Sequence, residues 1–426
     1  MTWGFATEPE FQEKLDWVAK FTREEIEPID RVIEHALDVN DPVRNTLVKP
    51  LQQIVRQQGL WACHLGPDLG GQGYGQLKLA LLNEIIGRTH SGPVVFGTQA
   101  PDSGNAEILA HFGSPELKQR YLAPIIENEI VSCFSMTEPE GGSDPTELAT
   151  TAVLDGEEWV INGEKWFSSH ARFASFFIVM AATDPDAARH NRASMFVVPA
   201  CTPGLEIIRN VGVWGHDSIE GTHAYVRYTD VRIPKDHILG ERGHGFAVAQ
   251  IRLGGGRIHH AMRTIGLVGQ ALDMMVQRAV TRRSGSGHLG DRQMVQEMIA
   301  DSFIQLQQFR LLVLQTAWRI DQYGDYRKVI ADISAVKAAM PKVLAEVVGR
   351  AIQLHGALGT STELPLGKWL LESYHMAIAD GATEIHKVQI AKQLMRGIDP
   401  YEGVFPPYHL PAQEAAAREK FRDVLG

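Results

Sequence analysis

TTAVLDGEEWVINGEKWFSS, residues 150–169, decides how the chain divides. Apolar and polar residues alternate around Asp155-Gly156 and again up to Asn162-Gly163. That alternation has the period of a half-buried strand. Asp-Gly and Asn-Gly are the dipeptides that hairpin turns favour, because they tolerate left-handed backbone. Further β-rich runs follow at 176–181, 194–199, 205–208 and 223–228. Together they predict a small antiparallel sheet or barrel between about residues 131 and 242.

Outward from this segment the periodicity becomes helical. On the N-terminal side Phe11, Leu15, Val18 and Phe21 recur at three-to-four spacing, and 77–86 is another apolar-faced stretch. Ser114-Pro115 starts a further helix, with Ser as cap and Pro in the first turn. The Gly-rich GPDLGGQGYG (66–75) fits neither phosphate-loop pattern and reads as a connection. On the C-terminal side three stripes appear. The first is Val268, Ala271, Leu272, Met275, Val276 and Ala279. The second runs from Val295 through Phe303 and Val313 to Ile320. The third runs from Ile333 through Met340 to Leu354, with Pro341 expected to kink it. A fourth helix is expected from near Glu384. The predicted fold is α+β and multidomain: an N-terminal α-helical domain (1–130), a middle antiparallel β domain (131–242) and a C-terminal four-helix bundle (243–426).

The formal charge of −10 argues against a nucleic-acid partner, which needs a basic surface. Cys63, Cys133 and Cys201 form no CxxC pair, so neither a disulfide framework nor a cysteine metal site is expected. The N-terminal MTWGFATEPEFQEK lacks a basic stretch followed by an apolar one, and the longest apolar run, 173–182, is too short to span a bilayer. A cytoplasmic protein with no membrane contact is the expectation. His259 and His260 are neighbours on a helix, about a hundred degrees apart, so they cannot chelate one metal together and read as packing residues. No metal site is expected.

CFSMTEPEGGSDP (133–145) leaves a strand and enters a Gly-Gly turn. Its exposed backbone N–H groups, with the hydroxyls of Thr137 and Ser143, suit a flavin edge or a pyrophosphate, and equally a simple strand exit. This segment resembles the TEPxxGSD motif of the acyl-CoA dehydrogenase family, and NGEKWFSSHA (162–171) resembles that family's NGxKxWITNG. FGSPELKQRYLAPIIENE (112–129), RLGGGRIHHAMRTIGLVGQAL (252–272) and QLHGALG (353–359) resemble further blocks, all in the family's order. The pattern is most similar to the subgroup of family members ten and eleven.

The resemblance implies FAD as cofactor, held by Phe134, Met136, Thr137, Ser143, Phe167, Ser169, Arg282, Gln353, Gly356, Ala382 and Glu384. Phe167 stands where the family carries a flavin-stacking Trp, and Ser169 where it carries Thr. Ser284-Gly285-Ser286 departs from the family's Thr-Phe-Gly after Arg282. Gln353 and Gly356 match a block that reaches the FAD of a neighbouring subunit, so a homodimer or homotetramer is implied. Ser143, Arg257 and Gly381 are expected near the bound thioester.

IADGATEIH (378–386) carries the implied catalytic base, Asp380. An Asp-Gly is by itself an ordinary turn. Most of the family has Glu here, so this base is shorter by one methylene, roughly 1.5 Å of reach. Some members instead place the base on the helix beginning near Gly254, but no Asp or Glu occurs from Arg242 to Leu272. The implied activity is α,β-dehydrogenation of an acyl-CoA, branched or 4-substituted, with an electron-transferring flavoprotein as acceptor. The alternatives are a flavin oxidase or monooxygenase of the same fold, like nitroalkane oxidase, and a non-catalytic subunit of a mixed oligomer.

Overall fold

A computed structural model describes residues 6–213 and 221–426. Met1–Phe5, the start of the stretch read for targeting, lie outside the described residues. Four helices of the N-terminal region concern the site: α1 (Pro9–Phe21), α2 (Pro42–Gln57), α3 (Gly75–Ile86) and α4 (Asp102–Phe112). Phe11, Leu15, Val18 and Phe21 are the buried face of α1, as their spacing requires. Asp41 caps α2 by accepting from the Val43 N–H, and Ser114 accepts from the Leu117 N–H.

Seven strands follow: β1 (Ser132–Ser135), β2 (Thr151–Asp155), β3 (Glu158–Lys165), β4 (Phe176–Ala182), β5 (Ala193–Pro199), β6 (Leu205–Val211) and β7 (His223–Pro234). The sheet order is β1-β4-β2-β3-β7-β6, with β5 paired to β4. Asp155 faces Glu158, so Gly156-Glu157 forms the expected two-residue hairpin loop, with Gly156 at φ 64°. Asn162-Gly163 does not turn the chain. It lies inside β3, where the register against β7 shifts between Ile161 and Gly163. Gly163 has φ 147°, and a Cβ there would lie 2.5 Å from Thr150 Oγ1, so the glycine serves a bulge. The sheet is also mixed, because β1 runs parallel to β4.

β4 is buried on both faces, which is why it reads as an unbroken apolar run. Phe176, Ile178 and Met180 pack with residues of the flanking helices, among them Ile108, Leu109 and Val248. Phe177, Val179 and Ala181 pack on Trp159, Ile161 and Val226 within the sheet.

The C-terminal bundle comprises α5 (Gly245–Thr281), α6 (Gln293–Tyr323), α7 (Ile330–His355), α8 (Leu366–Ile378) and α9 (Thr383–Met395). Central α7 packs on the other four and runs unbroken through Pro341. Val276 and Phe303, expected on inner stripes, are 43% and 54% exposed. The apolar pattern is wider there than the face that packs. Residues of α1 to α3 and of the bundle share one hydrophobic core. The loop after α8 is thereby fixed against the middle of α5. Among the described residues no helix is long and apolar enough to cross a membrane.

Candidate active site

Asp380 occupies the α8–α9 loop in left-handed backbone at φ 56°, followed by Gly381 at φ 105°. Asp tolerates that region better than most residues. A Cβ on Gly381 would come within 3.0 Å of His386 Nε2, so glycine is required there on two counts. Three side chains hold the loop by its carbonyls. Arg257 Nε donates to Asp380 O at 2.9 Å. Lys337 Nζ donates to Met376 O at 2.5 Å and to Gly381 O at 3.3 Å. His386 Nε2 stands 3.4 Å from Asp380 O.

The Asp380 carboxyl is 17% exposed and turns toward α5. A Cβ on Gly256 would lie 3.3 Å from its Oδ2, and His260 Nε2 stands 3.6 Å from the same oxygen. Burial pushes this carboxyl up, but His260 first, and then Arg252, Arg257 and Lys337, outweigh it and hold it below the usual carboxylate range. His260 itself is pushed down to about 3 by burial, with Arg263 adding to the effect. Arg252, Arg257 and Lys337 thus surround Asp380 with fixed positive charge, whereas burial disfavours the charged form of His260 and Asp380 favours it.

A second group of residues gathers where β1 and β3 end. Phe134 bridges to Ser169, and the Trp166 N–H donates to Thr137 O at 2.8 Å. Lys165 Nζ donates to Met136 O at 2.9 Å and pairs with Glu138 at 2.8 Å, both side chains being buried. Phe167 sits at φ 53° with its ring 5.0 Å from that of His223, and His223 Nδ1 lies 3.0 Å from Ser169 Oγ. Two contacts join this group to the Asp380 loop. Arg252 of α5 stacks 3.8 Å over the Phe134 ring, and the His223 ring lies 5.5 Å from that of His375 on α8. Ser143 is exposed on the loop after β1, and Ala382 and exposed Glu384 open α9.

Arg282, Gln353 and Gly356 lie elsewhere, at the C-terminal ends of α5 and α7, and all three are exposed. A cleft of about 500 Å³ between those ends is lined by Gln270, Arg278, Thr281, His355 and Leu358. Gln270 Oε1 and Arg278 Nε are buried there with no hydrogen-bond partner. Arg282 makes no ion pair among the described residues. An unpaired donor (Arg278 Nε) and the Arg282 guanidinium suit a diphosphate, and an unpaired acceptor (Gln270 Oε1) suits a donor of its nucleoside. The aromatic face of Phe167 and the β1 exit suit a flat ring system, the flavin half of such a cofactor. These residues fit FAD.

Sequence reasoning gave Arg257 but overlooked Lys337, which has no local signal because it sits in an apolar stripe of α7. It took His259 and His260 together as packing residues. His259 does pack, buried and 3.1 Å from Gln76 Oε1. His260 faces the carboxylate instead, and the signal was present: Gly256 and His260 are four apart, on one helix face.

Two helical regions around a β sheet, with a buried carboxyl on the α8–α9 loop turned onto α5 and a separate open cleft at the ends of α5 and α7, have the layout of a flavin-dependent dehydrogenase. The chain belongs to the acyl-CoA dehydrogenase family, FAD-dependent oxidoreductases, matching its N-terminal, middle and C-terminal domains over residues 8–129, 133–231 and 243–395. It is 40% identical over 352 residues to FadE2 of Mycobacterium tuberculosis, assigned as an acyl-CoA dehydrogenase, covering 81% of this chain and 85% of that one. It is 36% identical over 398 residues to acyl-CoA dehydrogenase family member 11 of Mus musculus, covering 91% of this chain and 51% of the other. The chain thus spans about half the length of the family member 11 relatives. A solved acyl-CoA dehydrogenase-type structure from Mycobacterium abscessus superposes with TM-score 0.85 at 36% identity, over 92% of this chain and 99% of that one.

Proposed function

We propose that the protein oxidises an acyl-CoA thioester to the α,β-unsaturated thioester, with Asp380 as the base that takes the α-proton. FAD, when bound, supplies the acceptor for the β-hydride. The observation that carries this reading is the placement of the Asp380 carboxyl, turned onto Gly256 of α5 among three cationic side chains, on a helix stretch that holds no competing acid. Asp380 must be charged to accept a proton, and the surrounding arginines and lysine favour that form. Arg257, Lys337 and His386 act on backbone carbonyls, so they set where the carboxylate stands without consuming its oxygens. Ser143, Arg257 and Gly381 would border the thioester arm. Anaerobic titration with a panel of acyl-CoAs, following flavin absorbance, tests the reading. Bleaching by at least one of them is expected, and an FAD-loaded protein that none of them bleaches would overturn it.

Two finer points follow from particular residues. Ala379 precedes the base where much of the family has Tyr, which leaves room for branched or 4-substituted acyl chains. Ala379→Tyr is expected to lower kcat/KM for branched acyl-CoAs at least tenfold relative to straight ones, since overpacking costs about 1–3 kcal/mol. Unchanged relative rates would refute the assignment. Arg282→Gln is expected to weaken FAD retention roughly tenfold, the value of one charge-assisted contact to phosphate. Equilibrium dialysis against FAD measures this, and undiminished affinity would remove Arg282 from the site.

An oligomer that shares FAD across subunits is supported by the exposed positions of Gln353 and Gly356. Met294, Phe303 and Ile304 on α6, with Leu394 and Met395 on α9, add exposed apolar surface. An electron-transferring flavoprotein as acceptor and a cytoplasmic location complete the proposal.

A further inference from the structure

We infer that His260 is the positioning residue of the base: its Nε2 edge faces and orients the Asp380 carboxylate, and its place on α5 is what fits this chain to an aspartate. The inference rests on Asp380 being the base.

The tautomer follows from the neighbours. Arg263 NH2 lies 3.5 Å from His260 Nδ1, and a guanidinium can only donate, so Nδ1 accepts and the ring proton sits on Nε2. That Nε2 faces Asp380 Oδ2 at 3.6 Å. Gly256, His260 and Arg263 are spaced four and three apart and so lie along one face of α5. Glycine at the first position lets the loop approach, histidine at the second meets the carboxylate, and arginine at the third fixes the histidine. The Oδ2 of Asp380 already lies 3.3 Å from where a Cβ on Gly256 would be. A glutamate at the same backbone position would carry its carboxylate about 1.5 Å farther, past this contact.

Asp380 is faced by Arg252, Arg257, His260 and Arg263 from α5, by Lys337 from α7 and by His386 from α9. His260 is faced by Arg263, Asp380, Lys337 and His375. Of these, His260 is the side chain whose nitrogen faces the carboxyl oxygen, at 3.6 Å, rather than the loop carbonyl. Removing His260, which lowers the Asp380 carboxyl, raises its pKa.

The test compares His260→Leu with His260→Gln, each loaded with FAD, for turnover of whichever acyl-CoA the wild type bleaches with. Leu is expected to lower kcat about tenfold or more, with KM within about threefold, and to move the acid limb of the kcat profile up by about one pH unit. Gln, which presents an amide N–H from a side chain of similar length, is expected to recover most of the rate. Leu with an unshifted acid limb and unchanged kcat would overturn the inference, as would Gln as defective as Leu while FAD content is retained. If Leu fails to fold, Gln against wild type still decides, because a wild-type acid limb is then expected. Asp380→Asn run in parallel separates the two claims. Activity surviving in that variant sinks the base itself, whereas its loss beside an unaffected His260→Leu sinks only the role of His260.

Discussion

Asp380→Asn is expected to keep its FAD and to lower the rate of flavin reduction by acyl-CoA about 10²- to 10⁴-fold, the range for removing a positioned general base. Asparagine is nearly isosteric and visits left-handed backbone readily, so φ 56° at this position is no obstacle. The loop's anchors would survive, because Arg257 and His386 contact the Asp380 carbonyl and Lys337 contacts the Met376 and Gly381 carbonyls. What is lost is the only atom in the loop able to take a proton from a weakly acidic carbon. Stopped-flow reduction under anaerobic conditions measures the rate, and the flavin spectrum of the purified variant checks cofactor content. Reduction at a tenth of the wild-type rate or faster would point to another base. Glu107 of α4 would then be the first to examine. A Cβ on Gly255 would lie 3.1 Å from its Oε2, and burial pushes its carboxyl up to about 7.

The gross architecture was legible because its signals are periodic. Phe11, Leu15, Val18 and Phe21 fall on the buried face of α1, and the hairpin signalled by Asp155-Gly156 forms one residue on, with Gly156-Glu157 as its loop. Failures came where one local signal serves two structures. Asn162-Gly163 has the chemistry of a turn, yet β7 continues to pair across it, so the left-handed glycine is spent on a bulge. Val276 and Phe303 match the helical period but lie outside the packed face. The site divides along the same line. Asp380 and Arg257 are legible through motif resemblance, whereas Arg252, in the same RLGGGRIHHAMR segment, gains its role only by stacking on Phe134. Lys337 could not be found, because a lysine within a stripe of Ile333, Val336 and Met340 gains its role only when α8 ends above it. Its neighbours in space, Met376 and Gly381, are some forty residues away in sequence.

Lys165→Met is expected to destabilise the protein by about 3–5 kcal/mol, the cost of leaving a buried carboxylate without its counter-ion. The side chains of Lys165 and Glu138 are 0% and 5% exposed and their charged atoms are 2.8 Å apart. Glu138 also accepts from the Ala149 and Thr150 N–H groups, and Lys165 donates to Met136 O. The pair therefore ties the end of β3 to both ends of the loop that carries Thr137 and Ser143. Methionine fills the volume of the lysine stem, so the loss measured is charge and hydrogen bonding rather than a cavity. Urea unfolding of the variant gives the stability change, and FAD should be retained more weakly as the loop loosens. Glu138→Gln combined with Lys165→Met is the discriminating control. Removing both charges together should recover most of the stability, since the penalty lies in the unpaired charge and not in the absence of the pair. A single variant within about 1 kcal/mol of wild type would show that Ala149 and Thr150 alone satisfy Glu138. In that event the loop's geometry owes nothing to the lysine. A double variant as unstable as the single would place the stabilisation in the hydrogen bonds to the loop backbone.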